Sequence, residues 1–271
     1  MNDTAIAWTN VTWNPVSGCE KVSAECKYCY AETLSQRWGA PAFPNGFGLT
    51  LRPHKLDEPS KLKEPSLIFV NSMSDLFWDK IPEDYRDKIV DVIEAHPQHE
   101  FQVLTKRPEA MHKYSWRRRL PPNFWAGVSV GLRDHLRRVE ILIQVRAEIR
   151  FVSAEPLLGP LLLSPYLPRL HWVITGGESG LHLKDSGVRD KRALVAFDGR
   201  KWTPHERGIQ WVRDIREQCA EAGVAFFHKQ WGGIKPESGG RLLDGRTHDA
   251  FPRLPRGGAV NPRLFDQAHT R

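Results

Sequence analysis

Three cysteines lie close together near the start of the sequence, at Cys19, Cys26 and Cys29, whereas the fourth, Cys219, lies far along the chain. Cysteine thiolates hold iron–sulfur clusters, and a cubane cluster normally takes four of them. Three thiolates in one loop therefore indicate a cluster in which one iron stays open to another ligand or to a substrate. Gly18 frees the backbone just before the first cysteine.

Two alternatives to an open iron–sulfur cluster remain. A structural zinc site needs four ligands, and the nearest histidine in the sequence, His54, is distant from the loop. The three thiols can also be free. Cys219 is a poor fourth ligand because it lies with Val212 and Ile215 at the spacing of a core-facing helix, so we predict a small buried residue there.

Apolar runs alternate with helical patterns, and they predict the elements that must position the cysteine loop. Continuous apolar strands between helices are typical of βα units with a parallel sheet. The sequence thus predicts an α/β fold, a partial or full βα barrel with parallel strands. The predicted strands lie at 67–70, 101–104, 124–128, 149–152, 171–174 and 224–227, with one more within 6–11 or near Trp13, and the predicted helices at 83–95, 132–144 and 209–222.

The barrel is expected to occupy residues 1–232, with the cysteine loop near its N-terminal end. The polar segment 181–203 interrupts the rhythm of strands and helices, which predicts an inserted loop. The tail 233–271 is rich in Gly, Pro and Arg, and we expect it to pack on the barrel or to be partly mobile.

The net charge of the chain is +7 and its pI is about 9.3, which favours a polyanionic partner such as nucleic acid or a phosphorylated substrate. An enzyme with a basic surface is the alternative. The dense basic run Trp116–Arg119 is either a solvated surface or a phosphate clamp. We expect no membrane partner and a cytoplasmic location, because the sequence has no long apolar stretch and no signal-peptide pattern at its start. Clustered cysteines there indicate metal binding or catalysis.

The segment from Trp8 to Ala31, with Trp13-Asn14-Pro15 ahead of the cysteines, resembles the phage Gp37/Gp68-like family (DUF5131). That family is similar to an atypical branch of the radical S-adenosylmethionine (SAM) superfamily. The spacing C-x6-C-x2-C departs from the usual C-x3-C-x2-C of the superfamily, whereas Tyr28 before the last cysteine matches its habit. The resemblance extends over 71–77, 104–108, 127–130, 153–157, 176–179 and 229–232.

The resemblance implies an enzyme in which Cys19, Cys26 and Cys29 hold a 4Fe-4S cluster. SAM would bind the open iron through its amino and carboxylate groups, and one electron, delivered through a reductant protein, would cleave it to a 5′-deoxyadenosyl radical. The nearest mechanistic analogy is repair of DNA photoproducts, so nucleic acid is the expected substrate class. Base modification or a small phosphorylated metabolite stays open.

Polar residues at the ends of the predicted strands are candidates for binding SAM, because parallel strands bring their carboxyl ends to the edge where sites form. Together with Tyr28 from the cysteine loop, the candidates are Ser72, Ser74, Asp75, Lys106, Ser129, Glu155, Gly176, Gly177 and Glu178.

Several of these candidates also have a structural interpretation. Asp75 accepts from the SAM ammonium or ribose, or it caps a helix or closes a turn. Lys106 pairs with a carboxylate or phosphate, or it is solvated. Glu155 contacts SAM, or it is buried beside an arginine. Gly176 and Gly177 let a ligand approach the backbone, with Glu178 as acceptor, or they form a simple turn.

Ser129 additionally supports a different class of function. It lies in a G-x-S-x-G match between Gly127 and Gly131, which can mark the nucleophile of a serine hydrolase, with His171 or His228 as base. A zinc-stabilised nucleic-acid-binding protein without catalysis is the remaining alternative.

Overall fold

The structure is a computed structural model that describes residues 2–254. Its strands are β1 (Asn2–Asp3), β2 (Val11–Trp13), β3 (Val16–Ser17), β4 (Thr50–Leu51), β5 (Leu67–Val70), β6 (Glu100–Thr105), β7 (Phe124–Ser129), β8 (Ile149–Ala154), β9 (Trp172–Gly176), β10 (Val195–Phe197), β11 (Trp202–Pro204) and β12 (Ala225–Gln230). Its α-helices are α1 (Tyr30–Trp38), α2 (Glu83–Ala95), α3 (Pro108–Arg117), α4 (Arg137–Leu142), α5 (Ser186–Arg192) and α6 (Glu206–Glu221).

The described chain divides into two compact units, the first made of 2–128, 144–150 and 253–254 and the second of 129–143 and 151–252. In the first unit, β1 pairs antiparallel with β2, and β2, β5, β6 and β7 follow one another in parallel. In the second unit, β9 lies between β8 and β12, again in parallel. Four strands of the first unit and three of the second run parallel within their units, and the prediction of an α/β fold of the partial-barrel type is confirmed.

The parallel strands form where the sequence is apolar without interruption. All four residues of β5 and all six of β7 are buried. A strand that is covered on both faces has no solvent side for polar residues to occupy, which explains the continuous runs. Helix α2 instead buries one stripe, including Tyr85, Ile89 and Ile93, as an amphipathic helix on a sheet does. Its predicted bounds are confirmed.

Two predictions about the elements are wrong. The segment 181–203, predicted as an inserted loop, has regular structure: it contains α5 and the antiparallel pair of β10 and β11, which form a sheet of their own. Asp185 starts α5 by accepting a hydrogen bond from the backbone N–H of Val188. The helix predicted at 132–144 is shorter, because a 3₁₀ turn at Arg133–His135 precedes the six residues of α4.

The C-terminal segment is described as far as residue 254. Within the second unit, the N–H of Trp231 donates to the carbonyl oxygen of Gly240, and the indole N–H of Trp172 donates to that of Ala250. Residues 255–271 of the predicted tail lie outside the described residues, and the boundary after 232 stays a prediction. No helix within 2–254 combines the length and the apolar character that crossing a bilayer requires.

Gly18 fixes the start of the cysteine loop against the segment that follows β5. Its backbone N–H donates to the carbonyl oxygen of Met73 at 3.0 Å, and it forms a parallel bridge with Ser74. Its φ is +92°, and a Cβ at this position would lie 2.1 Å from the carbonyl oxygen of Gly48. The close approach of two backbones therefore excludes any side chain just before Cys19.

We predict that Gly18→Ala lowers the free energy of unfolding by about 3 kcal/mol, since left-handed backbone strain adds to a clash with main-chain atoms. The matched control is Gly46→Ala in the segment between α1 and β4, where φ is +57° but no atom lies within 4 Å of the place that a Cβ would take. That change is expected to cost only the strain, about 1 kcal/mol. Urea unfolding measures both, and equal losses would contradict the proposed clash.

Candidate functional site

The three clustered cysteines lie on different local structures of the first unit. Cys19 follows Gly18 in the loop, Cys26 ends a 3₁₀ turn at Ala24–Cys26, and Cys29 is the residue just before α1. All three are free thiols and partly buried. Cys219 is a fully buried free thiol on α6, as predicted. Burial raises the pKa of its thiol to about 12, so it is chemically inert.

Asp75 lies in the segment after β5, and its carboxylate accepts four hydrogen bonds from the protein. The hydroxyl of Thr105 donates to it at 2.6 Å, and the backbone N–H groups of Phe77 and Lys106 donate at 3.0 Å. The guanidinium of Arg107 pairs with it at 3.2 Å. The carboxylate thus holds the ends of β5 and β6 together, which favours the turn-closing alternative over direct SAM binding.

Arg107 extends this contact to the cysteine loop. Its guanidinium donates to the Sγ of Cys19 at 3.7 Å and to the carbonyl oxygen of Glu20 at 3.1 Å, while also pairing with Asp75. Sequence reasoning assigned no role to Arg107. The signal was its position directly after a strand, beside the predicted site residue Lys106.

Arg107 and Lys106, the two cations near the cysteine loop, affect the pKa values of the Cys19 and Cys26 thiols differently. The pKa of the Cys19 thiol is raised, chiefly by burial and also by the charge of Asp75, although Arg107 acts in the opposite direction. Burial, the largest influence, also raises the pKa of Cys26. The charge of Lys106 and hydrogen bonds from Val22 and Ser23 together outweigh it, so the net shift is downward. Lys106 therefore lies close enough to the cysteine loop for its charge to lower the pKa of Cys26.

The segment after β5 also carries polar groups that have no protein partner. Both the amide nitrogen and the amide oxygen of Asn71, which is 3% exposed, lack a hydrogen bond, as does the hydroxyl of Ser74. Buried polar groups are nearly always satisfied, so each such group calls for a ligand or a water. Asn71 was not among the predicted site residues. The feature of the sequence that could have identified Asn71 is its position immediately after a buried strand. In the structure it adopts a φ of +58°.

Two other predicted residues near this segment have contacts inside the protein. Ser72 exchanges hydrogen bonds with the side-chain amide of Asn14 at 3.1 and 3.2 Å, and its carbonyl oxygen accepts from the hydroxyl of Tyr30. Tyr28 is partly buried, with the ammonium of Lys27 over its ring at 5.3 Å. The first unit thus brings Ser72, Ser74 and Asp75 into one short segment beside the loop of the cysteines.

In the second unit, Glu155 pairs with a lysine and not with the arginine that the structural interpretation expected. The ammonium of Lys229 lies 2.6 Å from one carboxylate oxygen, and the amide of Gln230 donates to the same oxygen at 3.2 Å. Lys229 and Gln230 end β12, so the ion pair joins the carboxyl ends of β8 and β12. Gln230 Oε1 is buried and has no partner.

The structure disfavours Ser129 as a hydrolase nucleophile. Its hydroxyl donates to the carbonyl oxygen of Glu155 at 3.1 Å, and the residue is 1% exposed. The suggested base His228 instead bonds to Thr175 at 2.9 Å. Burial lowers the pKa of His228 to about 3, far from that of an effective general base near neutral pH.

Gly176, Gly177 and Glu178 lie against protein atoms. A Cβ on Gly176 would lie 3.0 Å from the carboxyl carbon of Glu155, and a Cβ on Gly177 would lie 1.9 Å from the carbonyl oxygen of Trp231. Glu178 is 5% exposed, and both its oxygens accept from Arg192 of α5, at 2.6 and 2.7 Å. The hydroxyl of the next residue, Ser179, is buried without a partner.

The comparisons with known proteins agree with the fold. The family model described as "Protein of unknown function (DUF5131)" matches residues 3–194 and 198–252. No curated protein matches the chain in sequence. Solved structures of spore photoproduct lyase share its architecture, although at identities of 10 to 12% the likeness establishes the fold alone.

Three of these structures reach a TM-score of 0.50 or more. A cysteine-to-serine mutant has a TM-score of 0.51 at 10% identity and aligns over 80% of this chain and 75% of its own. A cysteine-to-alanine mutant with dinucleoside spore photoproduct has a TM-score of 0.51 at 12% identity over 79% and 74%. A double mutant with bound AdoMet and the same photoproduct has a TM-score of 0.50 at 10% identity over 80% and 75%.

We predict that Arg107→Gln lowers the free energy of unfolding by about 3 kcal/mol, because it leaves the largely buried carboxylate of Asp75 without its charged partner. Arg117→Gln is the control, since its ion pairs are exposed and worth less than about 1 kcal/mol. Thermal and urea unfolding of both variants test this. Equal stability of the two variants would show that the pair of Arg107 and Asp75 does not hold the loop in place.

Proposed function

Because the chain belongs to the DUF5131 family of proteins of unknown function and shares the fold of spore photoproduct lyase, we propose that it is a radical SAM enzyme. The observation that carries the proposal lies in the first unit. The loop of Cys19, Cys26 and Cys29 is anchored through Gly18 to a strand end whose Asn71 and Ser74 carry unpartnered polar groups.

The donor set suits a 4Fe-4S cluster. Three partly buried thiols come from one loop, and two cations, Lys106 and Arg107, act on them electrostatically. The charge of Lys106 favours the thiolate form of Cys26 that binds iron, whereas at Cys19 burial and the charge of Asp75 outweigh Arg107 and raise the pKa of the thiol. Within 2–254, no group of three or more His, Cys, Asp or Glu side chains is arranged so that it could hold a metal ion. We therefore assign Cys19, Cys26 and Cys29 as ligands from their chemistry and position alone.

The chemistry that such a cluster supplies when bound is the one-electron cleavage of the SAM sulfonium, with the electron provided by a reductant protein. In this proposal, residues of the chain bind SAM and orient it. The amide of Asn71 offers both a donor and an acceptor, and the hydroxyl of Ser74 offers a further one. These groups match the carboxylate, ammonium and ribose hydroxyls of SAM.

Nucleic acid is the substrate class that we propose. The chain carries a net charge of +7. Two of the solved structures with the same fold were determined with dinucleoside spore photoproduct, one of them also with AdoMet. Repair of a DNA lesion is therefore the reaction to test first, and modification of a base is the second.

We predict about four irons and four sulfides per chain in protein purified without oxygen. Cys26→Ala is expected to lose the cluster, whereas Cys219→Ala, which removes a buried thiol on α6, retains it. Metal and sulfide analysis with a visible spectrum measures both. One zinc and no iron in the unaltered protein would place it among zinc-stabilised binding proteins, and unchanged iron in Cys26→Ala would contradict the ligand assignment.

We predict that Asn71→Gly weakens SAM binding at least tenfold without a matching loss of stability. Glycine adopts the positive φ of this position easily, and the change removes an amide that no protein group satisfies. Equilibrium binding of SAM to the anaerobic protein, together with urea unfolding, separates the two effects. Unaltered SAM affinity, or a large loss of stability, would show that the amide serves the fold.

A further inference from the structure

An exposed tryptophan marks a second feature of the first unit, away from the cysteine loop. Trp116 lies in the last turn of α3 and is 58% exposed. Helix α3 begins after the carboxyl end of β6, and the chain then enters β7 at Phe124. Trp116 therefore lies toward the amino-terminal ends of the strands, whereas the cysteine loop is joined to the carboxyl end of β5.

The indole of Trp116 is held in place. Its N–H donates to the Nε2 of His112, one turn earlier, at 2.9 Å. The guanidinium of Arg146 lies 3.2 Å from the centre of the ring. A fixed aromatic ring loses little conformational entropy when a ligand stacks on it, so this exposed tryptophan is prepared for binding.

The arginines that follow Trp116 differ in their partners. Arg117 and Arg118 pair with four carboxylates of α2, which are Glu83, Asp87, Asp91 and Glu94. In the part of the chain that the structure describes, Arg119 and Arg146 are exposed and form no ion pair. The uncompensated positive charge of the basic run therefore lies at Arg119, and the guanidinium of Arg146 lies over one face of the indole.

These side chains surround a cavity of about 580 Å³, large enough for one nucleotide. Glu148 contributes one negative charge to the wall of the cavity, and Arg119 and Arg146 contribute two positive charges. The wall therefore has a net charge of +1. The wall is formed by Ser115, Trp116, Arg119, Leu120, Pro122, Arg146, Ala147 and Glu148.

We propose that this cavity is a docking site for single-stranded nucleic acid, in which a base stacks on Trp116 and Arg119 and Arg146 bind the phosphates. An aromatic platform next to arginines is the arrangement with which proteins hold single strands without reading their sequence. The net charge of +7 makes a polyanion the complementary partner. The cavity lies at the amino-terminal ends of the strands, whereas the proposed reaction site lies at their carboxyl ends. This proposal rests on the proposed function only in that it takes nucleic acid as the class of substrate.

The test is fluorescence anisotropy of a dye-labelled oligothymidine in low salt. Trp116→Ala is expected to weaken binding about tenfold, because one base can no longer stack. The double variant Arg119→Gln with Arg146→Gln is expected to lower the slope of log affinity against log salt by about 1.4, because two phosphates are no longer neutralised. Arg117→Gln, which removes one ion-paired charge from the same run, is the control and should change affinity less than twofold.

Three results would overturn the proposal: no binding of the oligonucleotide by the unaltered protein, an equal loss in Trp116→Ala and Arg117→Gln, or a free mononucleotide that binds as tightly as the oligonucleotide. Thermal unfolding confirms that the variants are folded. Iron and sulfide content measured on the same samples keeps the two proposals apart. If the protein has no iron but still binds the oligonucleotide through Trp116, only the proposed radical enzyme is contradicted. If Trp116→Ala contains iron and binds the oligonucleotide with full affinity, only the proposed docking site is contradicted.

Discussion

The carboxylate of Asp75 organises the first unit around the cysteine loop. A largely buried charge has to be compensated, and here the compensation comes from three directions: its own turn, the end of β6, and the guanidinium of Arg107. Because Arg107 also reaches Cys19 and the carbonyl oxygen of Glu20, a single anion determines where two strand ends and the first cysteine lie. The unpartnered groups of Asn71 and Ser74 precede it in the same segment.

The parallel strands and the long helices could be predicted because burial on both faces, or on one stripe, leaves a direct pattern in the sequence. The run Leu67–Val70 and the helix Glu83–Ala95 were located to the residue. The secondary structure of segment 181–203 could not be predicted in this way, because its helix is stabilised by contacts that composition does not reveal. These contacts are the Asp185 cap and the pairing of Arg192 with Glu178. Polarity there reflects ion pairing and not the absence of structure.

The site was partly predictable for a related reason. Sequence position indicates which residues lie at strand ends, but it does not indicate which of them are already engaged. Asp75 and Glu178 are engaged by arginines, whereas the amide of Asn71 is not. Charged side chains are the more obvious candidate ligands in a sequence. In a buried setting, however, charges are the groups most strongly required to find protein partners, and Asp75 and Glu178 have found theirs.

The backbone at residue 71 restricts what the site can become. Its φ of +58° is readily adopted by glycine, and among other residues chiefly by asparagine, aspartate and histidine. Glycine would offer no hydrogen bonds, aspartate would bury a second carboxylate four residues from Asp75, and histidine would add a ring to a position that is 3% exposed. Asparagine combines the turn with a neutral donor and acceptor in a side chain that has no ring. Substitutions that alter ligand preference are therefore more accessible at Ser74, whose backbone carries no such restriction, than at the residue that begins the turn.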